Sequence, residues 1–339
     1  MKIVDLRSDT VTLPTEEMLE AIRYAKLGDD ARGHEDPTVN RLEEMAAKKM
    51  GKEDALLVSS GTQGNLVSLM THTNVGDEVI LEAESHIYNS ELGALSSLGG
   101  LLPRPVNGKM GVLNPKDVEK VIRPRTTLVC IENTHGRAGG TVVTPGQIKA
   151  ISDITRAKKI KIHMDGARIF NAAVALDIDV KRLTEDVDSV MFCLSKGLSS
   201  PVGSLVLGQS DFIEKARTVR KMLGGSMRQA GIIAAPGIVA LEKMIDRLKD
   251  DHKTARLLAE GLSSMGIFVN LKTVQTNIVY FDVRSLGISA EEFVARLAER
   301  GVKVLTRRMV THRGIERADI DYTLDCIREV VEHYEDWRI

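Results

Sequence analysis

Short apolar runs recur along this chain, and each breaks into polar residues before a helical stretch begins. Ala55-Leu56-Leu57-Val58 runs into Ser59-Ser60-Gly61-Thr62, and Glu78-Val79-Ile80-Leu81 ends in Glu84-Ser85-His86. Thr127-Leu128-Val129-Cys130-Ile131 ends in Glu132-Asn133-Thr134-His135. Lys161-Ile162-His163-Met164 leads to Asp165-Gly166-Ala167-Arg168, and the run from Ser189 to Ser195 leads to Lys196-Gly197. Such runs suit strands covered on both faces. Strands alternating with helices build a mostly parallel sheet flanked by helices, an α/β fold. Ligands bind beyond the carboxyl ends of those strands. The polar residues at those ends are therefore expected around one pocket.

The spacing predicts helices over 15–26, 37–50, 62–73, 88–98, 115–123, 145–158, 211–222 and 230–262, and a strand at 204–208 beside 189–195. Thr15-Glu16-Glu17, Pro37 and Asn114-Pro115 are helix starts, and Gly99-Gly100 is a stop. After about residue 244 the pattern changes: strands at 267–269, 278–281 and 302–304 accompany helices at 289–300 and 316–336. This reads as a smaller α+β domain. The expected division is an N-terminal arm over 1–16, a large domain over 17–243 and a small domain over 244–339. The arm either lies on the surface or carries Arg7 and Ser8 to a site or a neighbouring subunit.

A length of 339 residues exceeds one ordinary core, and 43% hydrophobic residues exclude a disordered chain. The formal net charge of −1 argues against a nucleic-acid or membrane-surface protein. Cys130, Cys193 and Cys326 lack metal-ligand spacing and read as reduced thiols. Asp5 and Arg7 leave no room for a signal peptide, and no apolar run is long enough to span a bilayer. A cytoplasmic protein is expected.

Lys196, where a buried strand ends, is partly desolvated, so its amine can attack a carbonyl. Gly61 and Thr62 open a helix directly after a strand, where unpaired amides and the helix dipole suit an anion; a plain helix cap is the alternative reading. The glycine spacing there is not a dinucleotide fingerprint. Nothing resembles a zinc cluster or a kinase glycine loop. Lysine, cradle and the carboxylate of Asp165 together match pyridoxal 5'-phosphate (PLP), which needs an amine, a phosphate site and an acidic partner for its ring nitrogen.

Eight motifs, in order, resemble the L-threonine aldolases, including low-specificity and L-allo-threonine forms: Leu6 to Thr12, Ser60 to Asn65, Glu84 to Ile87, Ile131 to His135, His163 to Arg168, Phe192 to Leu198, Gly225 to Gln229 and Arg308 to His312. The resemblance implies a fold-type I PLP-dependent enzyme, aspartate aminotransferase-like. Its reaction would be retro-aldol cleavage of L-threonine or L-allo-threonine to glycine and acetaldehyde. It implies Lys196 as the Schiff-base lysine, Asp165 as partner of the ring nitrogen and His86 stacked on the ring. Cofactor contacts would come from Gly61, Thr62, Arg168 and, from a neighbouring subunit, Arg228. Ser8, Arg168 and Arg308 would bind the substrate carboxylate, with His86 and His135 also at the substrate. His135, directly or through water, would be the candidate base for the β-hydroxyl, the neutral imidazole suiting pH 7; the alternative is a water or the phosphate as base, with His135 only positioning a loop. The assembly implied is a homotetramer with active sites at a dimer interface. Other fold-type I enzymes, such as a β-eliminating lyase or an aminotransferase, would share Lys196 and Asp165, and a non-catalytic regulator could share the fold. The chain departs from the family at Ala31 to Pro37, where Arg32 stands in place of a common tyrosine. A shortened link from Gly301 makes Arg307 an alternative to Arg308.

Overall fold

The computed structural model describes residues 2–31 and 34–332. Arg32 lies outside the described residues, as do positions 333–336 of the expected last helix.

The chain opens with β1 (Val4–Asp5). Seven strands then build one sheet: β2 (Asp54–Val58), β3 (Glu78–Glu82), β4 (Leu102–Val106), β5 (Thr126–Glu132), β6 (Lys161–Asp165), β7 (Ser189–Cys193) and β8 (Ser204–Gly208). Their order is β2-β8-β7-β6-β5-β3-β4. From β7 to β4 every pairing is parallel, and only β8 runs against its neighbours. Every residue of β3, β7 and β8 is buried, so helices cover both faces. Close cover is visible at Gly64, where a Cβ would stand 2.6 Å from Met191 Cγ. The helix Gly61–His72 can therefore lie directly on β7.

A second layer contains β9 (Ile278–Tyr280), β10 (Val302–Lys303) and β11 (Arg308–Val310), with helices Leu248–Ser264, Ala290–Glu299 and Arg317–Glu332. β11 pairs antiparallel with β9, and β10 pairs parallel with β1. Val4 and Leu6 are buried in the core of this layer. The arm is thus tied to the C-terminal part, and Thr12 Oγ1 donates to the Lys196 carbonyl at 2.9 Å.

Three local expectations need correction, and one strand was not expected. The 88–98 helix is two single turns, His86–Asn89 and Ala94–Ser97. Leu92 and Gly93 both take positive φ, and Leu92 is exposed with nothing packed on it to hold a helix. The 230–262 helix is broken between Lys243 and Leu248. Its first half buries apolar residues in the large core and its second half in the C-terminal core, which one straight rod could not serve. At 267–269 only Phe268 pairs, by an isolated bridge to Asp282. The unexpected strand is β4, whose Pro103 and Pro105 mask a strand pattern; it lies at the sheet edge, where missing N–H groups are tolerated. Among the described residues, no helix is long and apolar enough to cross a membrane.

Candidate active site

The carboxyl ends of β3, β5, β6 and β7 open on a cavity of about 430 Å³. Lys196 reaches it from beyond β7, Asp165 and Arg168 from the end of β6, Glu132, Thr134 and Arg137 from the end of β5, and His86 from beyond β3. Ser8 enters from the arm, and Arg307 and Arg308 from the C-terminal layer. Ser8 and Arg308, 300 positions apart in sequence, thus share one wall, because the pairing of β1 with β10 holds the arm against the small layer.

The charged groups are held in defined partnerships. Asp165 is buried; its Oδ2 accepts from Asn65 Nδ2 at 2.9 Å and its Oδ1 from the Ala167 amide at 3.0 Å. His86 Nδ1 is 2.9 Å from Glu91 Oε1, a buried carboxylate, and this hydrogen bond raises the imidazole pKa above its ordinary value. The Glu91 carboxyl is itself pushed up by burial, which outweighs its hydrogen bonds from His86 and Asn65. Glu132 accepts from two amides, His86 N–H at 2.6 Å and Gly136 N–H at 2.8 Å. Arg168 forms a two-pronged pair with Asp9, Nε to Oδ2 at 2.7 Å and Nη2 to Oδ1 at 2.6 Å. Burial alone would raise the Asp9 pKa, but the Arg168 charge and hydrogen bonds, with Lys196 and Asn277, bring it down to about 2. Two buried atoms of cavity-lining residues, Arg308 Nε and Thr134 Oγ1, have no partner among the described residues. A buried, unpartnered guanidinium donor suits a carboxylate ligand.

The structure does not bring every expected residue to this cavity. His135 is fully buried behind the wall. Its Nδ1 accepts from the Ala138 amide at 3.2 Å, so its proton sits on Nε2 and goes to Glu82 Oε2 at 2.9 Å. Gly111, at positive φ, closes over it: a Cβ there would lie 2.4 Å from His135 Cγ. Neither ring nitrogen is open to a ligand, which corrects the expectation of a base at this position. Gly61 and Thr62 do not line the cavity; they start the helix Gly61–His72, capped by Ser60. Their amides have no partner among the described residues. Arg228 is also outside the cavity, exposed and 3.2 Å from both oxygens of Asp29.

Residues 5–284 match the family model described as beta-eliminating lyase. The chain is 45% identical to low-specificity L-threonine aldolase 1 of Arabidopsis thaliana, covering 98% of this chain and 97% of that protein. It belongs to the beta-eliminating lyase family, among its low-specificity L-threonine aldolases. The low specificity L-threonine aldolase of Escherichia coli strain K12 is 41% identical, over 94% of this chain and 96% of its own. Among solved structures, the threonine aldolase of Leishmania major superposes with a TM-score of 0.83 at 19% identity, over 96% of this chain and 99% of that one. Serine palmitoyltransferase of Sphingomonas wittichii gives 0.81 at 18%, over 99% and 89%. These two share the fold.

Three residues of this threonine aldolase site carry no signal of their role in the sequence. Asp9 and Asn65 lie within the motifs Leu6 to Thr12 and Ser60 to Asn65, but only tertiary contact reveals what they hold. Glu91 sits in a stretch read as plain helix, and no local signal points to it.

Proposed function

We propose that this threonine aldolase cleaves L-threonine and L-allo-threonine to glycine and acetaldehyde, with PLP as cofactor. One observation carries the reading: a half-buried lysine, a buried carboxylate and three carboxylate-binding groups, Ser8, Arg168 and Arg308, meet in one cavity. The donor set suits PLP. Gly61 and Thr62 offer free amides at the start of a 12-residue helix, and the missing Cβ of Gly61 lets that turn approach Cys193, three residues before Lys196.

PLP, when bound, supplies an electrophilic carbon for an amine and a cationic ring that takes up electrons from a breaking Cα bond. The chain's own residues supply the rest. Lys196 would supply the amine that holds the cofactor. Asp165, held by Asn65 and Ala167, would be the acidic partner of its ring nitrogen. Ser8, Arg168 and Arg308 would grip the α-carboxylate and so fix the orientation of the substrate. Glu91 accepts a hydrogen bond from His86 Nδ1–H, which leaves Nε2 as that ring's open nitrogen. His86, which lines the cavity, would then accept the proton of the β-hydroxyl at Nε2 in place of His135.

Rates on L-threonine, L-allo-threonine and their D forms test this, with products identified. Glycine and acetaldehyde without ammonia or keto acid are expected, and borohydride should trap the cofactor on Lys196. The family's own description favours a second reading, β-elimination, which release of ammonia and a keto acid would select. We also propose that Arg228 serves an anion in a neighbouring subunit, so that the active unit is at least a dimer, and a tetramer by resemblance. Its exposed loop position supports this, and a fully active monomer in sedimentation would refute it. Three unpaired, buried cysteines support a cytoplasmic setting.

A further inference from the structure

A buried histidine, His163, a half-buried one, His72, and a buried serine, Ser189, stand behind the cavity, and the reaction outlined above does not use them. His163 and Asp165, two apart on β6, project from the same sheet face. Ser189 on β7 stands directly opposite His163 in register. Asn65 and His72, seven apart on the helix Gly61–His72, lie two turns apart on one side of it. These placements connect five side chains into one chain of hydrogen bonds that ends at the cavity.

The direction of every bond in it can be worked out. Asn65 Nδ2 lies 2.8 Å from Glu91 Oε1 and 2.9 Å from Asp165 Oδ2, so the nitrogen end of the amide faces both carboxylates. Asn65 Oδ1 then needs a donor, and His163 Nε2 at 3.2 Å is that donor. With its proton on Nε2, His163 accepts at Nδ1 from the Ser189 hydroxyl, 2.9 Å away. Ser189 Oγ in turn accepts from His72 Nε2 at 2.7 Å, and the His72 ring is stacked on Phe212. Burial holds both imidazoles neutral, lowering the pKa of His163 to about 3 and that of His72 to about 4. All donors point toward Glu91 and Asp165. Turning the Asn65 amide over would aim its oxygen at both carboxylates and its N–H groups at the N–H of His163.

We propose that His163, oriented by Ser189, is a positioning residue that locks the Asn65 amide and through it holds Asp165 and the Glu91–His86 pair in working geometry. The proposal rests on the PLP-dependent aldolase reading for its functional consequence. Asp165 keeps only the Ala167 amide if Asn65 turns, and Glu91 loses the partner that fixes it beneath His86.

The test compares His163→Leu, which removes the donor, with His163→Gln, which can return an N–H to Asn65. Loss of such an outer partner changes affinity or activity by about 10- to 100-fold. His163→Leu should weaken PLP retention on dialysis about tenfold and lower kcat at least as much, with KM for L-allo-threonine changed by less than about threefold. His163→Gln should recover most of both losses. Ser189→Ala, a small deletion that keeps the packing, should give a partial loss of PLP retention. A folded His163→Leu protein with wild-type PLP retention and kcat would overturn the proposal. So would equal impairment of the leucine and glutamine variants, which would mean packing alone. If His163→Leu does not fold, Ser189→Ala decides: unchanged PLP retention and kcat overturn the idea. Wild-type protein that neither retains PLP nor cleaves threonine would instead overturn the aldolase reading.

Discussion

Replacing Asp9 by Asn removes a charge that nothing in the cavity can replace. Asp9 is fully buried, and Arg168 is nearly so. Against burial, the Arg168 charge and hydrogen bonds bring the carboxylate pKa from 3.8 down to about 2 on folding. At about 1.4 kcal/mol per unit, the ionised pair contributes roughly 2 to 3 kcal/mol to the folded state. Breaking buried pairs from one side costs about 3 to 5 kcal/mol, the same order. Because the folded pKa is depressed, this stability is fully present above the unfolded value near 4. It is lost as pH falls through the folded value of about 2. At neutral pH, Asp9→Asn should therefore lower the melting midpoint by several degrees, at roughly 2 °C per kcal/mol for a chain this long. The wild-type advantage should shrink below about pH 4. The same change frees the Arg168 fork, so KM for L-allo-threonine should rise by about tenfold or more, with a smaller fall in kcat. Thermal melts across pH and steady-state kinetics measure both. A melting midpoint within one degree of wild type, together with an unchanged KM, would refute the coupling of Asp9 to Arg168.

Lys196→Ala should lose more than about a thousandfold in turnover while still retaining PLP through its other contacts, measured by single-turnover assay and dialysis. The acid limb of kcat/KM should reflect His86, activity falling as pH drops through its raised pKa, because only the neutral ring accepts a proton. Glu91→Gln should move that limb to lower pH, and an unmoved limb would argue against His86 as the proton acceptor. Arg137 lines the cavity, and among the described residues its one ion-pair partner is Glu84, 3.5 Å away and exposed. An acidic β-substituent should meet it, so Arg137→Ala should lower kcat/KM for β-hydroxyaspartate several-fold more than for L-allo-threonine, an effect of about 1 kcal/mol. An unchanged ratio between the two substrates would remove Arg137 from the specificity argument.

The alternation of buried runs with helices, and the polar residues at each run's end, were sufficient to derive the parallel sheet and the meeting of Lys196, Asp165 and His86. Strand periodicity and the rule that sites form at strand ends act locally, so they can be read without coordinates. Side-chain pairing across elements cannot. His135 and His86 follow strands in the same way, yet one is walled in by Glu82, Ala138 and Gly111 while the other lines the cavity. Asp9 meets Arg168 across 159 residues, and Asn65 meets Asp165 across 100. A turn broken at Leu92 and Gly93 lies beside Glu91, whose carboxylate reaches His86. Which polar group faces a ligand and which holds another in place depends on contacts far apart in the chain, and those exist only once the layers have packed.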